Sequence, residues 1–346
     1  MRSKHYIASL GVGALLAVSS HAAHAQSRVE LYGQVDAWAG SQRLLGNSGA
    51  WVIGGGGMST SYWGLRGSED LGGEWRATFG LEAFFRPQNG RSGSFDGEPF
   101  FGRNAYVGIG GPYGSIDLGR LVTPYFVTTV IFNPFVDSYT FSPMVLHTYV
   151  GVDNQGLVGG YAWNNAVVYH SPKVRGLTAD VIYALGNQPG DGNAHKWGGA
   201  LNYTIGPFAA SVAYQSQPFD TVPGDLDIVT PGFSRQTALQ VAASWDFNGI
   251  RLYGQYQRIA DRITMGDLTT NGGQVGISLP LDGGNVLASF VHSKTSGGNG
   301  VSRNTLAAGY DYNLSRRTDV YTAILADRAT GMSSGLTYGV GIRSRF

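Results

Sequence analysis

Apolar and polar side chains alternate along most of this chain. In RVELYGQVDAW (residues 28–38), Val29, Leu31, Gly33, Val35 and Ala37 share one face. Glu30, Tyr32, Gln34, Asp36 and Trp38 share the other. TALQVAASWDF (residues 237–247) sets Leu239, Val241, Ala243, Trp245 and Phe247 against Gln240, Ser244 and Asp246. After Asn248-Gly249, a two-residue hairpin signal, Ile250 and Leu252 stand opposite Arg251, Tyr253 and Gln255. Residues 75–85, 177–185, 196–205, 208–214, 274–279, 285–292 and 305–312 follow the same rule. A period of two predicts strands with one apolar and one polar face. The pattern yields sixteen strands and no helix longer than a turn or two.

Alternation alone fits two architectures. In a sandwich, apolar faces meet and polar faces are solvated. In a membrane barrel the apolar face meets lipid and the polar face lines a wet lumen. Three features favour the barrel. Gly and Ala intersperse the apolar faces, and Tyr, Trp and Phe punctuate strand ends as at an interfacial girdle. Short turns (FNG, LGG, GPYG) alternate with long ones at residues 86–99, 215–234 and 265–271. Strands of about 12 residues, at roughly 3.3 Å per residue and about 45° tilt, cross about 28 Å, enough for an apolar band.

The N-terminus places this barrel outside the cytoplasm. Arg2 and Lys4 precede an apolar stretch, YIASLGVGALLAVSS, and AHA (residues 23–25) offers a cleavage site before Gln26. Residues 1–25 therefore form a secretory signal peptide, and residues 26–346 the mature barrel. No later run is apolar enough for a membrane helix. The mature chain keeps 22 basic and 23 acidic side chains. That balance leaves no excess to neutralise phosphates and excludes nucleic acid as a partner. Cysteine is absent, so disulfides, thiolate metal sites and a Cys nucleophile are excluded.

One segment breaks the alternation. Residues 121–161 form a long stretch that is too apolar and aromatic to stay disordered in water. The chain then ends on LTYGVGIRSRF, with Leu336, Tyr338, Val340 and Ile342 at every second position and a bare Phe346 at the terminus.

Three stretches carry a family resemblance: WGLRGSEDLGGEWRATFGLE (residues 63–82), FGRNAYVGIGGPYGSIDLGR (101–120) and VTPY (122–125). With the NLSRRT turn (313–318) and the final Phe, they resemble the trimeric general-diffusion porins of Gram-negative bacteria, of the Burkholderia–Bordetella–Comamonas type. The resemblance runs from Val29 to Phe346. It implies an all-β fold, a 16-stranded antiparallel transmembrane β-barrel in the cell outer membrane, assembled as a homotrimer. The third external loop folds into each lumen, and residues 121–161 occupy its position as the constriction loop. The last strand pairs with the first, residues 336–346 with 29–39, so no edge remains open. Tyr338, Val340, Ile342 and Phe346 are then the signal read by the barrel-assembly machinery. Outer-membrane lipid and lipopolysaccharide are the implied surroundings. The loop acids Asp220, Asp225 and Asp227 could bind a divalent cation or bridge to lipopolysaccharide, though exposed loop acids usually do neither.

The resemblance also implies a transverse field, with wall arginines facing loop acids across the constriction. Arg103 takes the FGRxAYVG position, Arg66 lies in GLRG, and Arg120 ends the strand entering the long loop. Trp63 and Leu65 take the lipid side, which turns Arg66 inward. The loop contributes Asp137 and Asp153, with Phe135, Tyr139, Phe141 and His147 around them. The chain departs from the family at two places: Tyr62 stands where an arginine often precedes WGLRG, and Tyr161 and Trp163 occupy the strand re-entry without the expected arginine. The acidic-Phe-Gly signature of enterobacterial porins is also missing. Alternation carries a conflict at Arg103, because turning it inward takes Val107 and Ile109 inward too unless a bulge intervenes.

The function expected is passive diffusion of ions and small hydrophilic solutes, with a mild anion preference and no cofactor. A channel preferring aromatic or sugar-like solutes is the first alternative, and a barrel enzyme or adhesin the second. The enzyme reading lacks support. The four mature histidines (His147, His170, His195, His292) are scattered, and no Ser/His/Asp set or metal-ligand spacing stands out. GGGG at residues 54–57 lacks the Lys-Ser of a phosphate loop.

Overall fold

The computed structural model describes residues 28–152, 156–157, 160–186, 195–218, 232–264, 266–298 and 300–346. The expected signal peptide (residues 1–25), Asp153, and the loop acids Asp220, Asp225 and Asp227 lie outside the described residues.

Every segment with period-two alternation is a strand, and all neighbours are antiparallel. The wall runs β1 (Arg28–Arg43), β2 (Ala50–Gly55 and Tyr62–Gly72), β3 (Trp75–Arg86), β4 (Asn104–Gly111), β5 (Gly114–Val122), β6 (Ala162–His170), β7 (Leu177–Ala184) and β8 (Lys196–Ile205). It continues β9 (Phe208–Gln217), β10 (Phe233–Phe247), β11 (Ile250–Ile263), β12 (Leu268–Leu281), β13 (Gly284–Ser296), β14 (Ser302–Asn313), β15 (Thr318–Ala329) and β16 (Gly335–Arg345). The two parts of β2 both pair with β1 and make one wall strand interrupted at residues 56–61. A two-residue ribbon, Arg91–Ser92, pairs with β3 in a separate small sheet. The wall is thus a closed barrel of sixteen strands, because β16 pairs with β1.

Side-chain burial follows the predicted faces. Val29, Leu31, Val241, Trp245, Phe247 and Leu252 point outward and are exposed, while Gln34, Asp36, Gln240 and Gln255 point inward and are buried. An apolar exterior around a polar interior is stable only where the exterior meets hydrocarbon. Turns at one end are tight, as at Asn248-Gly249 and Asp282-Gly283, and the loops at the other end are longer.

Closure differs from expectation by four residues. Arg345 pairs with Gln34 and Leu336 with Arg43, so β16 sits higher on β1 than the sequence suggested. The barrel's stagger sets this offset, and an even shift keeps every side chain on its face. Phe346 adds one more rung: its N–H donates to Gly33 O at 3.0 Å, and Gly33 N–H returns a bond at 3.2 Å. A Cβ on Gly33 would lie 2.9 Å from Phe346 Cζ, so the terminal ring rests where only glycine leaves room. The segment at 265–271 also differs. Most of it belongs to β12, whose upper part carries Thr269 and Asn271 outward and therefore lacks apolar alternation.

Candidate constriction of the channel

The segment between β5 and β6 folds into the barrel. Thr123 caps α1 (Pro124–Ile131) by accepting from Phe126 N–H, and Pro124 opens the helix. Ser142 caps α2 (Pro143–Tyr149) in the same way, with Pro143 first. Both cap-proline pairs, Thr-Pro and Ser-Pro, are readable in the sequence, so the two short helices have a local cause.

A row of inward glutamines docks this loop. Gln255 Nε2 donates to the carbonyl of Phe132 at 2.6 Å and Gln274 Nε2 at 3.1 Å. Gln257 Oε1 accepts from Thr148 Oγ1 at 2.9 Å, and Gln240 Oε1 from Thr129 Oγ1 at 3.3 Å. Under α1 the wall is lined by Ala200, Ala213, Ala238 and Ile259, small enough for a helix to lie close. Further round, Phe135 and Phe141 enter an apolar cluster with Trp38, Leu287, Ala307 and Tyr321. Burying each phenylalanine contributes about 1.5–3 kcal/mol. The loop then latches to the break in β2. Ser59 Oγ donates to Asp137 Oδ1 at 2.7 Å, Ser138 Oγ to Gly57 O, and Thr140 Oγ1 to Gly56 O at 2.9 Å. That break is itself held by Asp36, which accepts from the backbone N–H groups of Gly57, Met58 and Ser59 and from Tyr321 Oη. Past α2, buried Arg303 donates to the carbonyls of Leu146 and Val150.

The loop therefore carpets the inner wall from β8 round to β15 and β1. What remains open lies between its edge and the wall of β2–β6. A cavity of about 660 Å³ occupies this space, bordered by Phe84, Arg86, Glu98, Arg120, Tyr139, Tyr149, Tyr161 and Asn164.

The wall arginines are not equivalent. Arg66 points inward, as alternation predicts, but sits opposite Glu30, which holds it at 2.9 Å. It lies four residues, about 13 Å along the strand, from Tyr62 towards the tight turns, so it borders the vestibule rather than the narrow part. Arg103 precedes the first residue of β4, outside the regular ladder. That resolves the parity conflict, since Val107 and Ile109 remain outward and exposed. Its guanidinium lies 4.2 Å above the Tyr62 ring and donates to Glu82. Glu82 also accepts from Tyr32 and Asn104, so this cation is neutralised by a fixed carboxylate. Arg120 is re-aimed by a bulge between Gly119 and Leu121. Its Nε donates to Gly102 O and its Nη1 to Asn164 Oδ1, both neutral acceptors at 2.6 Å. Of the three arginines singled out from the sequence, Arg120 alone has no carboxylate partner among the described residues.

Among the aromatic candidates, Tyr62, Tyr139 and Tyr161 face the open space, Tyr62 beneath Arg103 and the other two at the cavity. Phe135, His147 and Trp163 do not line it. Phe135 and Trp163 are fully buried, the first wedging the loop and the second packed on Leu121 and Ile182. His147 is pinned between Ser293 Oγ (2.8 Å) and Thr305 Oγ1 (2.7 Å). These are scaffold positions, because a loop lying flat on the wall turns half of its side chains into it. Tyr338, Val340 and Ile342 stand outward on β16 and are exposed.

Sequence reasoning missed Arg303, Glu82 and the glutamine row. The available signal was chemical. Where the loop lies, the inward positions carry Gln, Ala and Ser, and where the lumen is open they carry Arg, Glu and Tyr.

A closed barrel with a lipid-facing exterior, a polar lumen and an inward loop has the architecture of a transmembrane channel. The chain belongs to the Gram-negative porin family, whose sequence pattern matches residues 12–331. Outer membrane porin protein 32 of Delftia acidovorans is 32% identical over 329 residues, covering 89% of this chain and 86% of that one. An outer membrane porin protein of Bordetella pertussis is 27% identical over 410 residues, with 98% and 99% covered. The anion-selective porin from Comamonas acidovorans superposes with a TM-score of 0.78 at 26% identity, over 93% of this chain and 100% of that one. OmpT of Vibrio cholerae, solved in a trimer form, shares the fold at 13% identity, with a TM-score of 0.68 over 92% and 99% of the two chains. The protein is thus an outer-membrane porin that forms a water-filled channel for ions and small hydrophilic solutes.

Proposed function

We propose that this porin is a passive channel with a mild preference for anions, working as a homotrimer and reaching the outer membrane by way of a signal peptide at residues 1–25. The observation that carries the anion preference is Arg120. Arg103 and Arg66 are each ion-paired with a carboxylate, whereas Arg120 makes no ion pair among the described residues and borders the open cavity, with Glu98 as the one glutamate on the same lining. Asp137 stands at the loop edge on the Arg103–Tyr62 side, with one oxygen held by Ser59. In a low-dielectric wall one unmatched cation is enough to bias permeation. The anion-selective Comamonas relative points the same way.

Two outer surfaces fit the expected partners. The β1–β5 face is broadly apolar, with Val29, Leu31, Val107, Ile109, Ile116 and Leu118 exposed, and suits packing between barrels. On β11–β15, Arg258, Arg262, Lys294 and Arg328 point outward near the loop ends, above the apolar belt of Val275, Phe290 and Leu306. That row suits the phosphates of lipopolysaccharide in the outer leaflet. The bonding of Phe346 to Gly33 at the barrel seam supports the reading of the terminus as an assembly signal.

Reconstitution into planar bilayers tests the proposal. Stable ohmic conductance appearing in groups of three equal steps is expected. Silent bilayers with folded protein present would overturn the channel reading, and single independent steps would overturn the trimer.

A further inference from the structure

The open side of the constriction is unusually aromatic. Phe84, Tyr161, Phe126, Tyr149 and Tyr139 form an unbroken chain of rings, with centroids 5.9, 5.3, 5.3 and 6.4 Å apart in turn. It runs from the β3 wall to the loop edge along the 660 Å³ cavity. Arg120 borders the same cavity. Its Nε and Nη1 donate to Gly102 O and Asn164 Oδ1, which fixes the guanidinium plane, and the Tyr161 hydroxyl lies beside it on the same cavity lining. The second arginine there, Arg86, is committed to Asp96 at 2.6 Å. The one glutamate, Glu98, is occupied by the Ser94 N–H and hydroxyl and by Tyr161 Oη. A solute entering this bay therefore meets ring edges and faces, one fixed cation with donors to spare, and a carboxylate whose oxygens are already engaged.

We propose that this bay is a binding subsite for aromatic monocarboxylates. The ring of the solute packs on the aromatic chain, and its carboxylate accepts from the Arg120 guanidinium. This rests on the channel reading and goes beyond it, because a purely electrostatic filter passes small anions by size and charge without retaining an aromatic one. Ring stacking and a charge-assisted hydrogen bond act together, as each alone is weak in a wet pore. A retained solute shows itself as reversible block of the chloride current.

The test is the concentration dependence of that block in full-length trimers, with benzoate, cyclohexanecarboxylate and benzylammonium as probes. Benzoate is expected to block at least fivefold more tightly than cyclohexanecarboxylate, which has the charge and bulk without the π system. Benzylammonium should block least. Arg120→Gln should weaken benzoate at least tenfold, and Tyr139→Leu should remove the preference for benzoate over cyclohexanecarboxylate. Glu98→Gln should tighten benzoate. Arg120→Lys is the fallback if the glutamine variant does not fold, and should keep part of the affinity. Equal block by the two carboxylates would overturn the proposal, as would benzoate block unchanged by substitution of Arg120. Both outcomes presuppose conductance in KCl, so absence of any current would instead count against the channel itself.

Discussion

Removing Arg303 tests how the constriction loop is held. Arg303 and Asp327 are both buried, with side-chain exposures of 4% and 7%. Arg303 Nε lies 3.1 and 3.2 Å from the two oxygens of Asp327, and Nη2 lies 2.7 Å from Oδ2. Nη1 spans to the loop, at 3.2 Å from Leu146 O and 2.9 Å from Val150 O. In Arg303→Met, Asp327 keeps only the Thr305 hydroxyl, at 2.7 Å. Breaking a buried pair by deleting one partner costs about 3–5 kcal/mol. The two loop carbonyls lose a donor, at about 1–1.5 kcal/mol each. Arg303→Met/Asp327→Leu removes the stranded charge as well, so it should lose only the loop contribution, about 2–3 kcal/mol. The readout is an operational stability, the temperature at which the compact band disappears in semi-native electrophoresis. The expected order is wild type highest, double variant intermediate, single variant lowest. Open-channel current noise should rise equally in both variants, because both lose the same tether. A double variant no more heat-resistant than the single, or wild-type noise in both, would refute this account of the anchor.

Arg120→Gln should reduce anion preference more than Arg103→Gln does, since Arg103 is matched by Glu82, and a tenfold salt gradient across each variant measures it. Acidification should loosen the loop. Burial, aided by the Arg303 charge, holds the His147 imidazole well below its ordinary range, so the docked loop binds fewer protons than the undocked one. Docking is then at full strength above about pH 6.5 and weakens as pH falls below it. Current noise at pH 5 should exceed that at pH 8, while His147→Gln should show no such change, and equal noise at both pH values in the wild type would contradict the point. Deleting Phe346 should lower the amount of folded, heat-modifiable barrel in the outer membrane without lowering export, which fractionation checks.

How far the sequence reached follows from what sets each feature. Alternation fixes which side chain meets lipid, so the barrel wall, the outward set of β10 and β11, and inward Arg66 were all legible. Register between distant strands depends on the stagger of the whole barrel, and β16 accordingly sat four residues from its expected place on β1. Irregular backbone defeats parity. Arg103 reaches inward because it precedes the ladder, and Arg120 because of a bulge, neither of which leaves a mark in a two-residue pattern. Partnership is harder still. Glu82 looks like any strand carboxylate until Tyr32, Asn104 and Arg103 converge on it, and that convergence moves the expected selectivity residue from Arg103 to Arg120. The loop's aromatics were visible as a group, yet which of them face water depended on docking to glutamines some 100 residues or more away in the chain.

The most direct measurement is the zero-current potential of the reconstituted wild-type channel and of Arg120→Gln across a tenfold KCl gradient, in dilute salt and again near 1 M. In dilute salt, where the Debye length is about 10 Å, the wild type should favour chloride and drive the dilute side negative. The potential should shrink near 1 M, where that length is about 3 Å, and Arg120→Gln should lose most of it at both concentrations. A cation-favouring wild type, or an anion preference untouched by Arg120→Gln, would contradict the claim that one unmatched arginine sets the selectivity of this porin.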